Sequence, residues 1–225
     1  MRAGEITRTY DPVRGLAELR SRASTPLHRA CVSLVDELES GGIKGVNVGV
    51  SGSMLLGLER GISDIDLVVY GYAEGRRAAD VLGRLRAQGK TSPRGGHLPN
   101  PMRIPADANL AHEVRKALKG MLNFEGRSID YLVRCMPFGD EYRERYGGAK
   151  HADNGPMKAE AIIADDGLGT FLPTRYGARG TNPEGLRFDI VSYGGIICEQ
   201  ARRGERVLVS GKNEGVVDER GRAHI

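Results

Sequence analysis

Between Leu27 and Leu38 apolar side chains recur three and four residues apart, at Leu27, Cys31, Leu34, Val35 and Leu38. A Ser-Thr-Pro start and a Gly41-Gly42 stop bracket that run, which is the pattern of an amphipathic helix with a capped entry and a glycine exit. Pro12 after Asp11 marks an earlier helix start, so the chain is predicted helical from about residue 10 to 41. The period then shortens. "GVNVGV" (45–50) reads as a short strand, Gly52-Ser53 turns into the brief helix "SMLLGLE", and "DIDLVVYG" is a strand rich in β-branched residues. "AEGRRAADVLGRLRAQG" returns to helical spacing, with Ala78, Val81, Leu82 and Leu85 on one face.

Residues 90–107 carry four prolines and no periodicity, the mark of a long loop, and such loops inside a domain are usually functional or mobile. "NLAHEVRKALKG" reads as another helix, and "MLNFEGRSIDYLVRC" as two strands joined at Glu125-Gly126. Beyond about residue 140 a polar, Gly-rich stretch leads into "AEAIIAD", "GTFLPTRY", "LRFDIVSYGG", "ERVLVSG", "EGVVD" and "RAHI", short strands between turn signals. The expected organisation is α+β. Residues 1–150 form a domain with N-terminal helices, and 151–225 form a small β-rich module, barrel-like or sandwich-like.

Composition narrows the setting. At 225 residues, 40% of them apolar, the chain is long enough for one or two packed domains. No run approaches the roughly 20 apolar residues of a membrane span, and "MRAGEITRTYDP" has no apolar signal core. The expectation is a protein of the cytoplasm without a membrane partner. Cys31, Cys135 and Cys198 are scattered, without metal or disulfide spacing, and read as free thiols. Lysine and arginine number 33 against 29 acidic residues; that excess permits RNA or DNA as a partner without requiring it. Oligomeric state is not readable.

The chemistry concentrates at "GVSGSMLLGLERGISDIDLVVYG". Strand alternation puts Asp64 and Asp66 on one face and Ile65, Leu67 and Val69 on the other. Two carboxylates roughly 7 Å apart repel each other beside an apolar core. They can be turn caps at a strand end, or they can be ligands for Mg2+ (or Mn2+), which takes carboxylate and phosphate oxygens together. Upstream, Gly52 and Ser53 stand between strand and helix, where backbone N–H groups can hold phosphate oxygens. Cradle and carboxylate pair, joined by one short helix, suit a nucleoside triphosphate.

Lys90, Arg94, Arg103, Arg115, Lys116 and Lys119 gather after the carboxylate strand. They read as a solvated face or as contacts to triphosphate or nucleic acid, with Lys116 and Lys119 assigned to the nucleotide. "GVSGS" falls short of a nucleophile elbow, because its last position is Ser53. The five histidines show no ligand spacing.

Gly-Ser, about ten residues, then Asp-apolar-Asp-apolar resembles the signature of the DNA polymerase beta-type nucleotidyltransferase superfamily, and the strand-rich tail is similar to stand-alone archaeal members. The resemblance covers roughly residues 43–135. It implies a palm-like mixed sheet flanked by helices, with Mg2+ (or Mn2+) at Asp64 and Asp66 and with Asp130 of "RSIDYLV" as third ligand or general base. It also implies transfer of a nucleoside monophosphate from an NTP such as ATP to a hydroxyl on nucleic acid, small molecule or protein, with release of pyrophosphate. Many small members carry an arginine soon after the serine; here "MLLG" is apolar. The other reading is a non-catalytic nucleic-acid-binding or regulatory protein on a degenerate core of this kind.

Overall fold

The computed structural model describes residues 6–94, 111, 113–141, 147–218 and 223–224. The chain divides into two compact units, Met1–Met136 and Pro137–Ile225.

In the first unit, α1 (Pro12–Ser21) starts where Asp11 caps it, its carboxylate accepting from the Val13 and Arg14 amides at 2.9 and 3.0 Å. The next helix, α2 (Pro26–Ser40), is capped in the same way by Thr25 and buries Ala30, Cys31, Leu34, Val35 and Leu38. The predicted 10–41 helix is thus two helices with a break around residues 22–25, because each proline fixes a helix start and cannot sit inside one. There follow β1 (Val48–Val50), α3 (Gly52–Leu56), β2 (Ile65–Tyr70), α4 (Tyr72–Ala87), β3 (Thr91–Ser92), β4 (Lys119–Phe124) and β5 (Arg127–Met136). Residues 113–115 are helical; Asn109, Leu110 and His112 of the predicted helix lie outside the described residues, as do residues 95–107 of the predicted loop.

The strands make one mixed sheet in the order β1-β2-β5-β4-β3. β2 and β5 run parallel and the other pairs antiparallel. Ile65, Leu67 and Val69 are fully buried on one face, level with Tyr131, Val133 and Cys135 of β5. Helix α4 packs there through Ala78, Val81, Leu82 and Leu85, and α2 packs on α4 and β4. Burial of each large side chain is worth about 1.5–3 kcal/mol, so the row fixes the strand's phase: a one-residue slip would put Asp64 and Asp66 in the core. The β4–β5 turn is tight, with Glu125 and Gly126 both left-handed at φ 47° and 72°, the twist that joins antiparallel strands in two residues.

The second unit is a five-stranded antiparallel sheet, β10-β9-β6-β7-β8, made of β6 (Ala149–Leu168), β7 (Thr174–Asn182), β8 (Glu184–Ser192), β9 (Arg206–Asp218) and β10 (Ala223–His224). Among the described residues it is not a closed barrel, since β8 and β10 stand at opposite edges. Its core is small: Ala159, Ala161, Ala178 and Phe188 in one cluster, Ile163, Tyr176 and Ala201 in another. Two features differ from expectation. The polar stretch 149–158 is strand, pairing with β9, and "ERVLVSG" and "EGVVD" are one strand carried through Gly211, which pairs with Met157. Among the described residues no helix is long and apolar enough to cross a membrane, and none of the three cysteines forms a disulfide, two of them being buried.

Candidate functional site

Residues opposite one another in paired strands point to the same face of a sheet. Ile65 is level with Tyr131 and Asp66 with Leu132. Asp64 stands one residue before β2, where a continuation of that register would bring it level with Asp130. Lys119 of β4 is level with Leu132 and Met121 with Asp130, and Ser92 of β3 is level with Met121. Two rows therefore cross the sheet on the face opposite Ile65 and Tyr131. One runs Ser92, Met121, Asp130, Asp64; the other runs Lys119, Leu132, Asp66. Strands lie about 4.8 Å apart in such a row, so the three aspartates occupy neighbouring positions on one face.

The Gly52 turn lies against the second row. The Ser51 amide donates to the Asp66 carbonyl at 2.8 Å, which holds the start of α3 beside the carboxylate. Gly52 has φ +60°, and a Cβ placed on it would lie 2.1 Å from Asp66 Oδ2. Only glycine fits there. Ser53, half-buried, is the second residue of the five-residue α3. Burial raises the pKa of the Asp66 carboxyl, and the charge of Asp64 raises it further. Arg134, two residues along the same face of β5, opposes both.

Asp130 is held differently. Its Oδ2 accepts from the Arg94 guanidinium at 3.2 Å, while its Oδ1 is buried without a hydrogen-bond partner among the described residues. A carboxylate oxygen in that condition is costly, by about 1–3 kcal/mol or more. Among the described residues, no three His, Cys, Asp or Glu side chains stand close enough together to hold a metal ion. The face nonetheless has the donor chemistry that Mg2+ takes: hard carboxylate oxygens, one of them without a hydrogen-bond partner among the described residues, with the Asp66 carboxylate packed against Gly52.

The lysines assigned to nucleotide separate. Lys116 is almost wholly buried, its Nζ 2.9 Å from Glu113 Oε1; it is enclosed rather than displayed. Lys119 stands on the carboxylate face and pairs with the other oxygen of Glu113. Burial alone would raise the Glu113 pKa, but the hydrogen bonds from Lys119 and Lys116 outweigh it and the net shift is downward. Arg86 of α4 fastens this segment to the sheet, donating to the carbonyls of Val114, Lys116 and Lys119 and to the Tyr131 hydroxyl. Lys90 pairs with Glu37, and Arg103 lies outside the described residues.

Arg134, Glu113 and Arg86 were not singled out from sequence as functional. Arg134 was readable, standing four residues from Asp130 and so on its face. The Glu113–Lys116 spacing was readable as a helical i,i+3 pair. Nothing local announces Arg86.

The chain is similar to "Uncharacterized protein MJ1086" of Methanocaldococcus jannaschii, 29% identical over 204 residues covering 87% of this chain. It spans 58% of that protein's length. No protein-family model matches the chain, and no solved structure matches it.

Proposed function

We propose that the first unit is a palm-like core that transfers a nucleoside monophosphate from an NTP to a hydroxyl acceptor. One observation carries this reading: the parallel register of β2 with β5 sets Asp66 and Asp130 on one face, with Asp64 just before β2, beside a glycine turn packed on Asp66. Such a face answers two requirements at once. A triphosphate needs close backbone approach, for which the Asp66 carboxylate would have to turn away from Gly52, and a hydroxyl donor, which Ser53 has. Its counter-charge needs hard ligands, and Asp64, Asp66 and Asp130 are the residues that would hold Mg2+ or Mn2+. The bound cation would neutralise charge on the phosphoryl oxygens and on the leaving pyrophosphate.

The chain's own groups divide the remaining work. Asp130 accepts the proton of the attacking hydroxyl. The hydroxyl oxygen bonds to the α-phosphorus as the bond from that phosphorus to the bridging oxygen breaks, and pyrophosphate leaves with its electron pair. Lys119 and Arg134, cations on the same face, balance the triphosphate.

The test is incubation of the protein with each labelled NTP, Mg2+ or Mn2+, and in turn RNA, DNA, small-molecule hydroxyls and protein. The expected outcome is label on one acceptor class with pyrophosphate released, abolished in Asp130→Asn while much of the NTP binding survives. Absence of transfer to every class, with NTP binding unaffected by Asp64→Asn and Asp66→Asn, would overturn the reading.

A second reading is favoured by two observations: Asp130 is engaged by Arg94, and no three-group metal cluster stands among the described residues. On that reading the face is a nucleic-acid-binding or regulatory surface without catalysis. Nucleic-acid binding that ignores divalent cations and all three aspartates would favour it.

A further inference from the structure

Two facts about Asp130 belong together. One of its oxygens is tied to Arg94, and the other is buried with no hydrogen-bond partner among the described residues. A carboxylate serving only as an ion-pair partner would be better placed with both oxygens solvated or paired. The half-satisfied arrangement suits a group waiting for a second partner.

The position of Arg94 follows from the sheet. Ser92 is fixed by its pairing with Met121, which is itself level with Asp130. Asn123 donates its amide to the Lys90 carbonyl at 3.0 Å, and the Lys90 amide donates to the Leu85 carbonyl at 2.9 Å. The chain is thus anchored up to Ser92, and Arg94, two residues on, reaches back along the row to Asp130. Its side chain is 51% exposed and that of Asp130 37%. An ion pair this exposed is weak and easily exchanged.

We infer that Arg94 is a latch on the third carboxylate: it holds Asp130 while no cation is bound, yields it to a divalent cation, and then turns its guanidinium to the phosphate oxygens of the nucleotide. The inference rests on the nucleotidyl-transfer reading of this face. Guanidinium and divalent cation cannot share one carboxylate comfortably, because their like charges repel at such distances. Released, the planar fork of Arg94 matches phosphate oxygens two at a time. Cation loading and phosphate capture then become linked: the ion that takes Asp130 also frees the residue that meets the triphosphate. This supplies a phosphate-binding arginine to a chain whose "MLLG" stretch lacks one.

The experiment measures Mn2+ binding by electron paramagnetic resonance, without nucleotide, for the intact protein and for Arg94→Gln, Asp130→Asn, the double variant and Asp66→Asn. Arg94→Gln is expected to bind Mn2+ more tightly, by about two- to five-fold, since a weak competitor is gone. The gain should vanish in the Asp130→Asn background, because it passes through Asp130. With Mn2+ saturating, inorganic tripolyphosphate should bind Arg94→Gln about tenfold more weakly. Unchanged Mn2+ affinity in Arg94→Gln, with affinity lost in Asp66→Asn, would overturn the latch and leave the site reading standing. An equal gain with and without Asp130 would also overturn the latch. Undetectable Mn2+ binding by every protein would overturn the site reading and the latch with it.

Discussion

Gly52 and Asp66 leave no room for a methyl group between them: a Cβ on Gly52 would come within 2.1 Å of Asp66 Oδ2 and 3.0 Å of its Cγ. Gly52→Ala must therefore displace the Asp66 carboxylate, and it also strains a left-handed backbone. It should weaken Mn2+-dependent NTP binding strongly. Ser53→Ala removes one hydroxyl and should cost only about 1 kcal/mol. Calorimetric titration of both variants checks the order, and the reverse ranking would mean that the turn does not hold phosphate.

Asp66 carries a raised pKa in the folded chain, chiefly from burial. Its protonated form is therefore favoured by folding. The penalty for its charge is complete above the raised folded pKa and relaxes as pH falls through that value toward the ordinary carboxylate range near about 3.9. Asp66→Asn should raise the melting temperature in EDTA at neutral pH, by an amount that shrinks on acidification. A saturating divalent cation should shrink or reverse the gain, because only the carboxylate binds it. A melting temperature that is lower for the variant at neutral pH in EDTA would contradict this account.

Glu113 and Lys116 are both nearly enclosed. Breaking such a pair by removing one partner typically costs about 3–5 kcal/mol, whereas replacing both by apolar groups of similar size costs far less. Glu113→Leu should consequently destabilise the protein more than the Glu113→Leu, Lys116→Met double variant does. Urea unfolding of the set reads this directly, and strictly additive costs would refute it.

Should nucleic acid be the acceptor, its affinity should fall steeply with salt through counterion release. Among the described cations Lys119 and Arg134 stand on the carboxylate face, so Arg134→Gln should flatten the salt slope. Filter binding of RNA and DNA at rising salt checks it. Binding that is absent even at low salt would direct the acceptor search to small molecules and proteins.

Much of the first unit was legible because its signals are local. Asp11-Pro12 and Thr25-Pro26 mark helix starts, the α2 and α4 stripes give their buried faces residue by residue, and alternation puts Asp64 and Asp66 on one face of their strand and Asp130 opposite Ile129 and Tyr131 on its own. What was not legible depends on distant partners. The parallel pairing of β2 with β5 joins residues 66 apart, Ile65 with Tyr131 through Tyr70 with Met136, and no local pattern announces it. Lys116 read as a surface cation because lysine is almost never enclosed; its burial depends on Glu113 and the Arg86 clamp. In the second unit, polar residues at 149–158 and Gly211 looked like turn material, yet each is held in strand by the other's ribbon, a case of pairing overriding propensity.

The two-residue turn at Glu125-Gly126 leaves the parity of β5 to the strand itself. A residue added to the turn lengthens the loop and leaves both strands paired as before. A residue added inside β5, between Arg127 and Asp130, has two outcomes: a bulge takes it up, or odd exchanges for even along part of the strand. In the second case Ile129 would face the side of Asp66 and Asp130 the helices. The hairpin therefore tolerates length in its loop far better than in the stretch from Arg127 to Asp130.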